Sequence, residues 1–86
     1  MEKLTAKTEL KVGMILKHRI TDDFDKRTFG DNYVVFQITK IKGYVFGKIL
    51  SGRMVNSRYH HAFHIDDKNR KDYWILSEQE GLLYEL

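Results

Sequence analysis

Two glycine-bearing turns constrain what this chain can fold into more than any other feature. Gly43 follows Lys42 and Gly52 follows Ser51, and apolar, β-branched and aromatic runs flank both pairs. Glycine supplies the positive φ that a two-residue hairpin turn needs. The sequence therefore predicts a meander of three antiparallel strands over residues 33–59.

Turns at these positions fix the register of the meander. Counting outward from them pairs Ile41 with Tyr44, Phe36 with Ile49, Leu50 with Arg53, and Ile49 with Met54. Because side chains alternate along a strand, one face is apolar and is the predicted core: Val34, Phe36, Ile38, Val45, Ile49 and Met54. The opposite face mixes aromatic, hydroxyl and cationic groups: Gln37, Thr39, Tyr44, Phe46, Lys48, Arg53, Ser57 and Tyr59. We expect this second face to contact a partner.

The segments outside the meander fit the same architecture. Before the meander we expect a half-buried strand over residues 12–20 and a loop over 21–32 that is anchored by Phe24 and Phe29. After it we expect a polar turn over 66–72 and a strand over 73–76. A capping box of Ser77 and Glu80 should then start one helical turn that ends at Gly81, and a closing strand should follow over 82–86. Five to six short antiparallel strands predict an all-β fold, a small curled sheet or barrel resembling the SH3 type. The length of 86 residues indicates one domain over residues 1–86.

The chain contains no cysteine. It therefore has no disulfide, no thiolate nucleophile and no cysteine-ligated zinc site, which favours a reducing compartment and leads us to expect a cytoplasmic protein. No apolar run approaches the roughly 18 residues of a membrane span, and the first ten residues lack the apolar stretch of a signal peptide. We expect a soluble protein that does not act on membranes.

The charge is unevenly distributed along the chain. Residues 40–71 carry eight Lys and Arg against two Asp and Glu, whereas residues 72–86 carry four acidic residues and no Lys or Arg. A basic block of this kind favours an anionic partner for the meander and the segment after it. Lysines at strand edges also discourage aggregation, and the acidic end can neutralise the basic block within the fold.

A histidine-rich segment raises the question of a metal site. Three histidines lie next to two aspartates: His60, His61, His64, Asp66 and Asp67. On a strand, His60 and His61 point to opposite faces, and His60 and His64 lie about 13 Å apart, too far for a compact tetrahedral site. A helix over residues 57–65 would bring His60 and His64 onto one face, and the sequence is compatible with either structure. We predict no metal and no cofactor.

Catalytic patterns are weak in this sequence. Residues 47–54 have the spacing of a phosphate-binding P-loop, but Arg53 and Met54 stand where Lys and Ser or Thr are required. His18 lies on an apolar face and is interpreted as a core residue. Because so small a core leaves little room for an enclosed pocket, we predict a protein without enzymatic activity and without catalytic residues.

Nucleic acid is the anionic partner that the sequence favours. Tyr44, Phe46 and Tyr59 offer flat rings on which bases can stack. Four cations lie among these rings and could approach phosphates: Lys42, Lys48, Arg53 and Arg58. We predict a binding module that recognises single-stranded or structured nucleic acid through this basic and aromatic face.

A protein-interaction module is the alternative. Small β domains offer sheet edges that accept another strand, and apolar residues at 82–86 could form an interface. The protein would then be an accessory subunit, an adaptor, an inhibitor or a homodimer.

Overall fold

A curled antiparallel sheet with two short helices forms the protein. The computed structural model describes residues 1–52, 55, 60–66 and 68–85, and for residues 84 and 85 it describes the backbone alone. The elements in chain order are β1 (Glu2–Lys3), β2 (Ile15–Arg19), α1 (Asp23–Phe29), β3 (Tyr33–Lys42), β4 (Tyr44–Ile49), β5 (His61–Phe63), a 3-10 turn (Arg70–Asp72), β6 (Tyr73–Leu76) and α2 (Glu78–Glu85).

The six strands form one sheet in the order β1-β6-β2-β3-β4-β5. All the pairs are antiparallel, and β6 lies between β1 and β2. This confirms the predicted β fold with a curled sheet of five to six strands. In the described part of the chain β1 and β5 are edge strands that do not pair with each other, so the sheet is curled and not closed into a barrel.

The first hairpin confirms part of the predicted register. Phe36 lies opposite Ile49, as expected, but Ile41 lies opposite Val45. The expectation that Ile41 faces Tyr44 was wrong because the register shifts at Thr39, between Ile38 and Lys40. This β-bulge adds one residue to β3, so the side chains beyond it point to the other face of the sheet.

The described strand that follows the second turn differs in register from the one predicted. Gly52 has the expected positive φ of 78°, but the strand that pairs with β4 is β5, which brings His61 opposite Gly47. A two-residue turn would bring residue 56 to that position, so the register predicted for the third strand was wrong, although three consecutive strands pair antiparallel as predicted. The pairings predicted for Arg53 and Met54 lie outside the described residues.

Residues 23–29 form helix α1 within the segment 21–32, where a loop was expected. The carboxylate of Asp22 accepts hydrogen bonds from the backbone N–H groups of Phe24 and Asp25 at 2.8 and 3.1 Å, which is N-capping. The helix α1 ends at Gly30, whose φ of 74° is left-handed and whose backbone N–H donates to the carbonyl oxygen of Lys26. Phe29 is buried, as an anchor should be, whereas Phe24 is 75% exposed.

The C-terminal segment is also helical. Ser77 and Glu80 form the predicted capping box, in which each backbone N–H donates to the other's side chain at 3.0 and 3.1 Å. Helix α2 then continues through Gly81 to Glu85. The predictions of a single turn ending at Gly81 and of a strand over residues 82–86 were therefore wrong, and Leu86 lies outside the described residues.

Both faces of the sheet bury apolar side chains. The inner face holds the larger cluster, which contains Leu4, Leu16, Ile20, Phe29, Val34, Phe36, Ile38, Val45, Ile49, Phe63 and Tyr73. The outer face holds a smaller cluster of Ile15, Val35, Leu50 and Leu76, against which α2 packs through Gly81 and Ile15. The predicted core face is thus confirmed as the inner face for its described residues, and Met54 lies outside them.

Candidate functional site

The candidate site is the outer face of the β3–β4 hairpin, beyond the outer cluster. Val45, Gly47 and Ile49 are buried, so the alternate residues of β4 point outward. Tyr44 is 52% exposed, Phe46 is half-buried and Lys48 is exposed. Strand alternation therefore positions all three predicted side chains of β4 on one outward surface.

The bulge at Thr39 adds two lysines to this surface. Lys40 lies opposite Phe46 and Lys42 lies opposite Tyr44, and paired residues share a face. Without the extra residue, strand alternation would direct both lysines to the inner face. We call the surface formed by Lys40, Lys42, Tyr44, Phe46 and Lys48 the basic hairpin face.

Hydrogen bonds from Thr39 support the bulge. Its hydroxyl contacts the carbonyl oxygen of Phe46 at 3.2 Å and Nδ1 of His60 at 2.9 Å. Thr39 thus connects β3 to β4 and to the residue before β5. These bonds support the part of β3 that positions Lys40 and Lys42.

No ion pair among the described residues involves these lysines. Residues 33–65 contain no Asp or Glu, and the ion pairs of the described residues join other groups. The ammonium of Lys40 lies 5.7 Å from the ring centroid of Phe46, within cation–π range. The basic hairpin face therefore combines three lysines with the exposed ring of Tyr44 and the half-buried ring of Phe46.

Three predicted contact residues cannot be added to this description. Arg53, Arg58 and Tyr59 lie outside the described residues. The described part of the predicted site is Lys42, Tyr44, Phe46 and Lys48, and the structure brings these four together. Sequence reasoning missed Lys40, since alternation alone points it inward.

A second cation–aromatic cluster lies on the outer face, on strands β1, β6, β2 and β3. The ammonium of Lys3 lies 4.0 Å from the ring centroid of Trp74, and that of Lys17 lies 4.5 Å from the ring centroid of Tyr33. The rings of Tyr33 and Trp74 are 6.4 Å apart. Both ammonium groups lie closer to their rings than the Lys40 ammonium lies to the ring of Phe46.

The histidines of residues 60–64 do not converge on one point. His60 bonds to Thr39, His61 packs edge-on against Phe29 with ring centroids 5.5 Å apart, and His64 lies 3.6 Å from the carboxylate of Asp66. Residues 61–63 form a strand, which resolves that part of the question between strand and helix. Among the described residues no group of three or more His, Cys, Asp or Glu side chains could hold a metal ion.

His18 is half-buried on the inner face of the sheet, which is the apolar face on which the sequence places it. Its ring stacks on Tyr73 with centroids 4.1 Å apart. Burial lowers the pKa of His18 from its ordinary value of 6.5, while the Asp72 backbone and carboxylate and the charge of Asp25 oppose that effect. Burial likewise raises the pKa of Tyr73. Both rings are therefore neutral at physiological pH.

A cleft opens on the inner side of the sheet, and sequence reasoning missed it. It has a volume of about 410 Å³ and lies between α1, β2, β5 and the turn before β6. His18, His61 and Asn69 are among its described lining residues. These residues come from three distant segments of the chain, so no local sequence pattern predicts the cleft.

A comparison with protein families, curated proteins and solved structures found no match to this chain. The SH3-like resemblance therefore stays a prediction. The described helices are all too short and too polar to cross a bilayer.

Proposed function

We propose that this protein is a non-enzymatic binding module that recognises an anionic partner, most favourably nucleic acid, through the basic hairpin face. The bulge at Thr39 carries the proposal, because it directs Lys40 and Lys42 to the same side as Tyr44 and Phe46. A regular β3 would separate these two lysines from the rings and leave only Lys48 beside them. We further propose the cytoplasm as its place of action.

The chemistry of the face suits a single strand better than a duplex. Tyr44 is exposed enough for a base to stack on its ring, and stacking is worth about 1 to 3 kcal/mol per base. Lys42 and Lys48 flank the rings and can approach the phosphates on either side. Charge of this kind makes binding depend on salt, because bound counterions are released from the strand.

Fluorescence anisotropy with labelled oligothymidylate and oligouridylate of about 15 nucleotides tests the proposal. We expect the logarithm of the association constant to fall with the logarithm of salt with a slope of about −2, if three lysines each neutralise one phosphate. Lys42→Glu and Lys48→Glu should each make the slope shallower. Lys71→Glu, an exposed position on the 3-10 turn, is the matched control and should leave the slope near that of the wild type.

Two variants of Tyr44 test the contribution of base stacking to the affinity for the oligonucleotides. Tyr44→Ala should weaken binding by about 1 to 3 kcal/mol, whereas Tyr44→Phe keeps the ring and should bind like the wild type. Absence of binding to either oligonucleotide at low salt, or an affinity that does not change with salt, would contradict the proposal.

The alternative function is a protein-interaction module. It is supported by Leu82 and Leu83, which are 55% and 72% exposed on α2, and by the edge strands β1 and β5. The predicted apolar C-terminal strand is a helix, so a homodimer would form through that helix or through an edge. If the oligonucleotides do not bind and the wild type sediments as a dimer that Leu83→Asp converts to a monomer, this alternative replaces the proposal.

A further inference from the structure

The second cation–aromatic cluster of the outer face repeats the chemistry of the basic hairpin face on other strands. Lys3 of β1 lies opposite Trp74 of β6, and Trp74 lies opposite Lys17 of β2. Paired residues share a face, so these side chains form one row across three strands. Tyr33 of β3 lies diagonally to Lys17, whose direct partner is Val35. Cations and rings therefore alternate along this part of the sheet.

The two rings position the two ammonium groups. Nζ of Lys3 lies 4.0 Å from the ring centroid of Trp74, and Nζ of Lys17 lies 4.5 Å from that of Tyr33, both within cation–π range. A ring contacts an ammonium group from one side and does not neutralise its charge, so N–H groups that point away from the ring can still donate to an anion. Part of the entropy cost of ordering a long lysine side chain is thus met before any partner binds.

These two lysines keep their charge for a partner. Neither of them belongs to an ion pair among the described residues. Their neighbour Arg19 differs, since its Nη2 lies 2.6 Å from Oδ1 of Asp72. Lys3 and Lys17 are therefore the cations of this cluster that can attract an anion.

The cluster can be reached from solvent. Lys3 is exposed, Tyr33 is 38% exposed, and Lys17 and Trp74 are half-buried. An open hollow of about 130 Å³ adjoins Lys17, Tyr33 and Trp74. It is smaller than the roughly 300 Å³ of the smallest pockets that hold whole small molecules. The hollow therefore suits a group of the size of a phosphate better than a complete base.

The cluster shares its face of the sheet with the basic hairpin face. Lys17 lies opposite Val35 and Lys48 lies opposite Gln37, and Val35 and Gln37 are alternate residues of β3. Two strand spacings and two residues thus separate Lys17 from Lys48, which places their Cα atoms about 12 Å apart. A stacked single strand advances about 3.4 Å per nucleotide, so about four nucleotides cover this distance.

We propose that Lys3 and Lys17, positioned by Trp74 and Tyr33, form a second phosphate-binding subsite for the same nucleic-acid strand that the basic hairpin face binds. This inference rests on the proposed function and deepens it. The basic hairpin face offers the exposed ring for base stacking, and the second subsite holds phosphates farther along the strand. The partner is therefore a longer strand than the basic hairpin face alone requires.

The salt dependence of binding tests the second subsite. With strands of about 15 nucleotides, five lysines in contact with phosphates should give a slope of about −3.5, against about −2 for the basic hairpin face alone. Lys3→Gln and Lys17→Gln should each make the slope shallower by about 0.7, and the double variant should return it to about −2. Lys68→Gln, an exposed position on the turn before β6, is the matched control and should keep the wild-type slope.

Two variants of Trp74 test the positioning role of the ring. Trp74→Leu removes the ring and keeps both lysines, so it should weaken binding about two- to fivefold while the slope stays at the wild-type value. Trp74→Phe keeps a ring under Lys3 and should bind more tightly than Trp74→Leu. Circular dichroism of both variants checks that the fold is retained. Equal affinity of the wild type and a folded Trp74→Leu would contradict the role given to this ring.

Trp74 also reports directly on the second subsite, because it is the only tryptophan of the chain and lies beside Lys3. Unlabelled oligonucleotide should change the Trp74 emission in a saturable way, with the dissociation constant that anisotropy gives. The basic hairpin face contains no tryptophan, so contact there alone should leave this emission constant.

The outcomes separate this inference from the proposed function. If the double variant of Lys3 and Lys17 keeps the wild-type slope, or if Trp74 emission stays constant while the strand binds, the second subsite is refuted and the proposed function stands. If the double variant weakens binding but Lys42→Glu, Lys48→Glu and Tyr44→Ala do not, the proposed role of the basic hairpin face is refuted alone. Absence of binding at low salt refutes both.

Discussion

Thr39 decides which way two lysines point. As the extra residue of β3, it changes the phase of the strand, so that Gln37 before it and Lys40 after it lie on the same face. Bulges commonly re-aim side chains next to functional sites. A single residue thus converts a regular hairpin end into a surface where cations and rings lie side by side.

Gly47 is a position where a neighbouring side chain leaves no room for a Cβ. A Cβ at this position would lie 2.5 Å from Cδ2 of Phe36, and Phe36 itself stacks on Phe63 with centroids 3.9 Å apart. Phe36 is fully buried, so its ring has little room to move. Gly47 therefore allows β4 to approach this stack of rings.

The buried histidine of β2 gives stability a pH dependence. Because burial lowers the pKa of His18 below 6.5 in the folded state, the unfolded chain binds this proton first as pH falls. The free energy of unfolding should therefore decrease below about pH 6.5, by at most about 1.4 kcal/mol per pH unit for one proton. Above pH 6.5 the imidazole is neutral in both states and contributes no slope.

Urea unfolding at a series of pH values between about 5 and 8 measures this effect. His18→Phe keeps a ring against Tyr73 and removes the titrating group, so its stability should fall less steeply below pH 6.5. The other three histidines are present in both proteins, so a difference between the two slopes is assigned to His18. Identical slopes for the two proteins would contradict the expected contribution of His18.

At the scale of elements, α2 depends on the absence of a side chain. Gly81 lies in the middle of the helix and faces Ile15 of β2, where a Cβ would lie 2.4 Å from Cδ1 of Ile15. In an exposed helix, alanine would be more stable than glycine by about 1 kcal/mol. Here the close approach to the sheet opposes that gain.

Gly81→Ala and Ile15→Val should therefore be coupled. Ile15→Val removes Cδ1, the atom in the way, so Gly81→Ala should cost less stability in the valine background than in the wild type. We expect a coupling free energy of about 0.5 to 3 kcal/mol in a double-mutant cycle measured by urea unfolding. Additive effects would indicate that α2 does not pack on Ile15 in solution.

Elements marked by local residues could be predicted from the sequence, and elements set by distant contacts could not. Gly43 marks the first turn and Ser77 with Glu80 marks the start of α2, and both are where expected. Helix α1 had local signals, Asp22 and Gly30, but its seven residues bury only Phe29 and lack an apolar period. Gly81 was interpreted as a helix end because its contact with Ile15 cannot be seen in the local sequence.

The residues of the candidate site also include some that the sequence could predict and some that it could not. Tyr44, Phe46 and Lys48 could be assigned to one face because alternation along a short strand is regular. Lys40 could not, since nothing in the sequence around Thr39 marks a bulge. The cleft could not be predicted either, because it needs the curl of the sheet to bring His18 and His61 together.

At the scale of the whole molecule, the two faces of one sheet contribute to two apolar clusters, the inner and the outer. Ile15 and Leu16 are consecutive in β2 and point into the outer and inner clusters respectively. The loss of β2 would expose both clusters at once. The two sides of the sheet should therefore unfold together, as is usual for domains of this size.

Two probes of unfolding test this cooperativity. Trp74 fluorescence reports on the outer face and far-ultraviolet circular dichroism reports on the sheet, and their urea transitions should coincide. Val35→Ala, in the outer cluster, should shift both transitions equally, by about 1.5 to 3 kcal/mol for two buried methyl groups. Val12→Ala at an exposed site should shift neither, and separate transitions would contradict a single cooperative unit.

The position of β6 between β1 and β2 has a consequence for synthesis in the cell. Both neighbours of β6, the strands β1 and β2, come before all the other strands in the chain, whereas β6 leaves the ribosome after β5. Among the described strands, until then β2 can pair only with β3 and β1 has no partner. The nascent chain must therefore wait in a partly ordered state, and complete folding becomes a late event that follows translation of residue 76.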